Sequence, residues 1–160
     1  MKRATMNTDT SSESVRQVSR DEFRFFIPMP TRWGDADQNG HINNAMFVRY
    51  LESGRLDYYA EILNKDFDQS PHPGFILASL QIDFLKQVNH PAELSIGTRV
   101  SRLGNSSFES DGAIFLAEDE TPVVISRSVC VWFNYDKNCS ERMPQAARDA
   151  VIKYERVKPL

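Results

Sequence analysis

Asp37 and His41, four residues apart in a polar turn, are the side chains of this sequence best suited to chemistry on a substrate. A carboxylate can attack an electrophilic carbon or take a proton from water, and an imidazole can orient the reactants. Both stand in the stretch Arg32-Trp33-Gly34-Asp35-Ala36-Asp37-Gln38-Asn39-Gly40-His41-Ile42-Asn43-Asn44. Asn39 adds a second orienting group, and Gly40 lets the backbone approach a substrate closely. Asn43 or Asn44 suits the cap of a helix beginning just beyond. The N–H groups and dipole of such a helix start can hold a carbonyl oxygen and stabilise the charge that develops on it. A calcium loop is the competing interpretation, because Asp35, Asp37, Asn39 and Gly40 occupy its first, third, fifth and sixth positions. It fails at the twelfth position, where Met46 replaces the bidentate Glu, and at Pro28 and Pro30, which exclude the preceding helix. Asp35 reads more simply as a turn-former.

The elements that must position this turn follow from periodicity. From Ala45 to Asn64, the residues Phe47, Leu51, Gly54, Tyr58 and Ile62 recur at helical spacing and form one buried face. Gly54 within that face implies close approach to another element, so the helix lies directly on a sheet. Before the turn, the segment from Glu22 to Trp33 is rich in Phe and Ile but carries two prolines, which suits an edge or irregular strand. After the helix, alternation from Ile76 to Phe84 marks a strand, with two more around Leu94–Val100 and up to Leu116. Val123–Phe133, dense in Val, Ile and aromatics, reads as a central strand covered on both faces. Glu141 to Lys153 reads as a short terminal helix. The order is strand, long helix, then four strands in meander: an α+β domain with one helix against an antiparallel sheet. Residues 1–20 lack any period and read as a flexible tail, leaving residues 21–160 as a single domain.

Composition narrows the function classes. A net charge of -3 with scattered basic residues gives no electrostatic footprint for nucleic acid. No apolar run reaches a membrane span and the amino end lacks an apolar leader, so a cytoplasmic protein is expected. Cys130 and Cys139 make no metal or disulfide pattern and are expected as reduced thiols. His72 and His90, beside prolines, read as loop residues, and Glu52 could simply pair with Arg55 on the helix surface.

The central motif resembles the 4-hydroxybenzoyl-CoA thioesterase-like group of the hotdog superfamily, and also the plant acyl-acyl-carrier-protein thioesterases. The resemblance rests on Asp35-x-Asp37, Gly40-His41-x-Asn43-Asn44, the following aromatic, and Glu52 with Arg55 on the helix. Ile82-Asp83-Phe84 and Leu103-Gly104-Asn105-Ser106-Ser107-Phe108 extend it over about residues 21 to 155. It implies a hotdog fold: a five-stranded antiparallel sheet wrapped around the long helix, here followed by the short carboxy-terminal helix. It also implies a homodimer, or a dimer of dimers, with active sites at the subunit interface. Asp37 then matches the catalytic carboxylate, as nucleophile or general base, with Asn39, His41 and Glu52 as its partners by likeness to the plant enzymes. The 4-hydroxybenzoyl-CoA enzyme itself lacks the His that His41 supplies. Gly40, Asn44, Ser79, Asp83, Arg102, Asn105 and Ser106 are the expected substrate contacts, with Arg99 and Arg127 as further candidates for coenzyme A phosphates. The activity implied is hydrolysis of an acyl-CoA without metal or organic cofactor, coenzyme A being part of the substrate. The alternatives are an acyl-carrier-protein thioesterase and a non-enzymatic acyl-CoA sensor or scaffold. The alternating apolar faces of Val123–Phe133 point the same way on assembly: one helix covers one face, and the other asks for a partner.

Overall fold

Six strands and two helices follow from these patterns in a computed structural model that describes residues 18–63, 74–117 and 119–160. Strand β1 is Phe25–Pro30, α1 is Asn44–Leu63, and β2 to β5 are Gly74–Phe84, Glu93–Leu103, Ser107–Leu116 and Pro122–Asn134. The two-residue β6 is Cys139–Ser140 and α2 is Gln145–Tyr154. The strands run in the order β1-β3-β4-β5-β2, antiparallel throughout, with β6 pairing at the end of β5. The sheet curls around α1, which is the hotdog architecture. The expected four-strand meander holds only for β3, β4 and β5: β2 crosses the helix and pairs with β5 at the far edge. Alternation within a strand fixes which face is buried but not which neighbour it chooses.

The face predicted for α1 does meet the sheet. Phe47, Leu51 and Tyr58 are buried, and a Cβ added to Gly54 would stand 2.7 Å from Ile96 Cγ2 and 3.0 Å from Thr98 Oγ1. Gly112 gives way from the sheet side, where a Cβ would meet Leu51 Cδ2 at 2.9 Å. The buried surface is wider than the predicted stripe, because Tyr50, Arg55 and Tyr59 are also enclosed. One core cluster gathers Phe47, Tyr50 and Leu51 with Ile96, Ile114 and Val124; a second gathers Tyr58 and Tyr59 with Phe108, Cys130 and Trp132.

The outer face of the sheet corrects the argument that a partner must cover it. Phe23 packs there with Ala113, Phe115 and Ile125, and Val18 and Phe26 lie against the same group. Burying Phe23 completely contributes roughly 2 kcal/mol. The Arg20 guanidinium sits 4.7 Å from the Phe26 ring centre and 4.9 Å from that of Phe115, and donates to Ser95 Oγ and the Asp119 carbonyl. Residues 18–20, read as tail, therefore pack on the domain; residues 1–17 lie outside the described residues. His72 also lies outside them. Among the described residues, no helix is long and apolar enough to cross a membrane. Cys130 and Cys139 are both free thiols.

Candidate active site

The turn between β1 and α1 is a tight hairpin. Ala36 bridges Ile42, the Asp37 N–H donates to the His41 carbonyl at 2.8 Å, and the Gly40 N–H donates to the Asp37 carbonyl at 3.0 Å. Gly40 closes it with φ +79°, and a Cβ there would touch nothing within 4 Å. Glycine is therefore needed for its left-handed backbone rather than for space. Asp37 Oδ1 accepts the Asn39 N–H at 2.8 Å and the His41 N–H at 3.4 Å, so the carboxylate is held by its own turn.

Asp35 anchors that turn to the helix. Its Oδ2 accepts the Tyr50 hydroxyl at 2.6 Å and the Arg32 N–H at 2.7 Å, while its carbonyl takes the Asn43 N–H at 2.9 Å. Burial pushes the Asp35 carboxyl up. The Tyr50 and Arg32 bonds, with the Arg32 charge, outweigh that and hold it below the usual carboxylate range. The same burial and the bond to Asp35 push the Tyr50 phenol well above its ordinary value. Asp35 is thus the structural residue of the pair, turned inward where the calcium pattern requires a ligand.

Asn43 is the helix cap: its Oδ1 accepts the Ala45 N–H at 2.9 Å and its carbonyl the Met46 N–H at 2.8 Å. These bonds consume two of the donors expected at the helix start and leave that of Asn44 at the mouth of a cleft. The cleft, about 340 Å³, is lined by Asp37, Asn39, His41, Asn44 and Phe47 on one side and by residues 84–88 on the other. The second wall comes from the strand end of β2, tied in by the Ile42 N–H to the Val88 carbonyl at 2.8 Å and by a bridge from His41 to Asn89. Sequence reasoning missed Phe84, Leu85, Lys86, Gln87 and Val88, because single long-range bridges leave no local pattern. His90 is structural, its Nδ1 3.0 Å from Thr31 Oγ1.

Other expected site residues lie elsewhere. Glu52 lines a separate cleft of about 480 Å³ with Met29, Arg32, Met46, Arg49, Tyr50 and Ser53. It is exposed while Arg55 is buried, so the surface pair expected between them does not form. Ser79 is exposed on edge strand β2, and Asp83 pairs in register with Ile125, whose side chain packs on the outer face. Arg102 pairs with Glu109 at 3.2 Å, and Asn105 and Ser106 form the turn from β3 to β4. That turn is at the opposite end of an eleven-residue strand, roughly 30 Å from the Asp37 end. Within one protomer these residues cannot reach the cleft. Arg99 is tied to Glu22 at 2.8 Å and Arg127 to Asp111 at 3.4 Å, both remote from it in register.

A curled antiparallel sheet around one long helix is the hotdog fold, here with a carboxylate turn at the helix start. Residues 31–151 match the thioesterase-like superfamily, and the chain belongs to it. The fold is similar to that of the PA5185 protein of Pseudomonas aeruginosa, with TM-score 0.78 and 29% identity over 86% of this chain and 95% of that one. It is also similar to a Thermus thermophilus thioesterase whose crystal structure is complexed with coenzyme A and Zn, with TM-score 0.76 and 26% identity over 88% and 99% of the two chains. In sequence it is 22% identical to the chloroplastic acyl-acyl carrier protein thioesterase ATL3 of Arabidopsis thaliana, over 81% of this chain and 68% of that one. The chain spans 60% to 68% of the length of the curated relatives it matches.

Proposed function

We propose that this protein hydrolyses an acyl-coenzyme A to the free acid and coenzyme A, with Asp37 as the catalytic carboxylate. The observation that carries the proposal is the gathering of Asp37, Asn39, His41 and Asn44 around one cleft at the start of α1. Two N–H groups hold one oxygen of Asp37, leaving the other to attack the thioester carbon or to take a proton from water. The Asn44 N–H and the helix dipole supply the stabilisation for the carbonyl oxygen as charge develops on it. His41 and Asn39 orient the water or the departing sulfur. Coenzyme A in the Thermus thermophilus structure supports this substrate class. The proposed chemistry uses side chains and backbone alone, without a metal or organic cofactor.

The site is proposed to be completed by a second copy of the chain. Among the described residues strand β2 is paired on one side only, and antiparallel pairing of two such edges would bring the far end of one sheet beside the near end of the other. Glu52, Ser79, Asp83, Arg102, Asn105 and Ser106 would then serve the neighbouring cleft rather than their own.

An acyl-carrier-protein substrate is the second reading, favoured by the similarity to ATL3. The net negative charge of this chain weighs against an acidic carrier. A panel of acyl-CoA and acyl-carrier-protein thioesters, followed by release of free thiol, tests the proposal. Turnover of acyl-CoA supports it, preference for the carrier-bound thioester replaces it, and tight binding without turnover leaves a sensor.

A further inference from the structure

A second cleft opens on the β1 side of α1, away from the one that Asp37 lines. It is about 480 Å³ in volume: Met46, Arg49, Tyr50 and Ser53 line it from one helical stripe, Met29 from the end of β1, and Arg32 from the turn that follows. Among the described residues neither Arg32 nor Arg49 makes an ion pair, whereas Arg99, Arg102 and Arg127 are each tied to a carboxylate. Asp35 feels the Arg32 charge, but its carboxylate is turned inward onto Tyr50. Glu52 is the one carboxylate on the lining, so two guanidinium groups face a single negative charge. A cleft of that balance accepts an anion.

The residue after Arg32 indicates which anion. Trp33 is 85% exposed, and its indole meets no other ring among the described residues. An exposed indole offers a flat face on which a nucleobase stacks, and guanidinium forks take phosphate oxygens in pairs. Chain position limits how far these groups lie from the chemistry. Trp33 precedes Asp37 by four residues, so their Cα atoms are at most roughly 14 Å apart. The two clefts flank the first turns of the same helix, a separation of about one helix diameter, roughly 10 Å. The pantetheine arm of coenzyme A is longer than that, so one molecule can reach from cleft to cleft across the helix start.

We propose that Arg32, Arg49 and Trp33 form the site for the nucleotide end of coenzyme A, the two guanidinium groups taking its phosphates and the indole its adenine. This deepens the acyl-coenzyme A reading above and rests on it. The test follows thiol release from an acyl-CoA and from the same acyl group on pantetheine, in the wild type, Arg49→Met and Trp33→Ala. Both side chains are exposed, so both variants should fold. The wild type should prefer the acyl-CoA. That preference, the ratio of the two kcat/KM values, should fall by at least about tenfold in Arg49→Met and about fivefold in Trp33→Ala. ADP supplies a readout besides turnover: it should quench the emission of the wild type and compete with acyl-CoA. In Trp33→Phe, which keeps only the buried Trp132, the quenching should vanish. A preference for acyl-CoA that survives both substitutions overturns the site while leaving the thioesterase standing. So does ADP that quenches Trp33 without competing with acyl-CoA, because the site would then serve a free nucleotide. Absence of turnover with both thioesters overturns the acyl-coenzyme A reading instead; quenching by coenzyme A itself, weakened in Arg49→Met, would still support the nucleotide site.

Discussion

Two aspartates two residues apart do different work because their surroundings differ. Asp37 is half-buried at the cleft, whereas Asp35 is buried and bonded to Tyr50 and the Arg32 backbone. Removing the Tyr50 hydroxyl should therefore loosen the turn: Tyr50→Phe is expected to cost about 1–3 kcal/mol in urea unfolding, leaving a buried carboxylate short of a donor. Asp35→Asn should likewise lower stability or raise KM more than it lowers kcat. Because the folded state depresses the Asp35 pKa, its contribution is present above the unfolded value and lost as pH falls through the folded one. Glu155 has the opposite sign. It is buried, accepts the Tyr58 hydroxyl and the Val100 N–H, and its Oε2 meets no partner among the described residues. Burial raises its pKa despite those bonds and the nearby Arg99. Its contribution is thus full below the unfolded value and lost as pH rises through the folded one. Urea stability of the wild type should decline relative to Glu155→Gln as pH rises above the ordinary carboxylate range. Parallel profiles for the two proteins would show that Glu155 does not titrate above it.

At the scale of elements, the contact of α1 with the sheet is set by two glycines that face each other's elements. Gly54→Ala gains helix propensity of up to about 1 kcal/mol. It also drives a methyl group into Ile96 Cγ2, and overpacking of that kind costs about 1–3 kcal/mol. A net loss in urea stability is expected, and a gain would mean that the helix can shift outward. Gly40→Ala should cost about 1–2 kcal/mol by strain alone, since φ is +79° with open space around it. Helix α1, its buried face, a cap at Asn43 or Asn44 and the polar turn before it were legible in the sequence because local rules govern them: spacing, capping and turn chemistry. The pairing of β2 with β5 was not, because strand alternation is the same whichever neighbour is chosen. The wall formed by residues 84–88 was also hidden, being joined to the turn by isolated bridges. Glu52 illustrates a third limit: its spacing put it on the helix but could not say which of two clefts it lines.

At the scale of the whole molecule, residues 18–26 pack over one part of the outer face, and β2 is an edge strand of the sheet. Composition offers residues 1–17 little apolar area, so their removal should leave the melting temperature nearly unchanged. Arg20→Ala, which removes two ring contacts and two hydrogen bonds, should lower it by several degrees. Equal effects of the two changes would mean that the segment covers the sheet without stabilising it. We propose that Asp37, at the mouth of the cleft, carries hydrolysis of an acyl-CoA thioester. Its most direct test is the steady-state rate of thiol release from the best acyl-CoA substrate by wild type and Asp37→Asn, with circular dichroism confirming that both are folded. Asp37→Asn keeps the size and most of the hydrogen bonding of the side chain but removes its basicity, so kcat should fall by at least about 100-fold with little change in KM. His41→Ala, with the helix-end donor still present, should fall between the two. Retention of most of kcat by folded Asp37→Asn, with loss of kcat in Glu52→Gln or Asp35→Asn, would contradict the assignment.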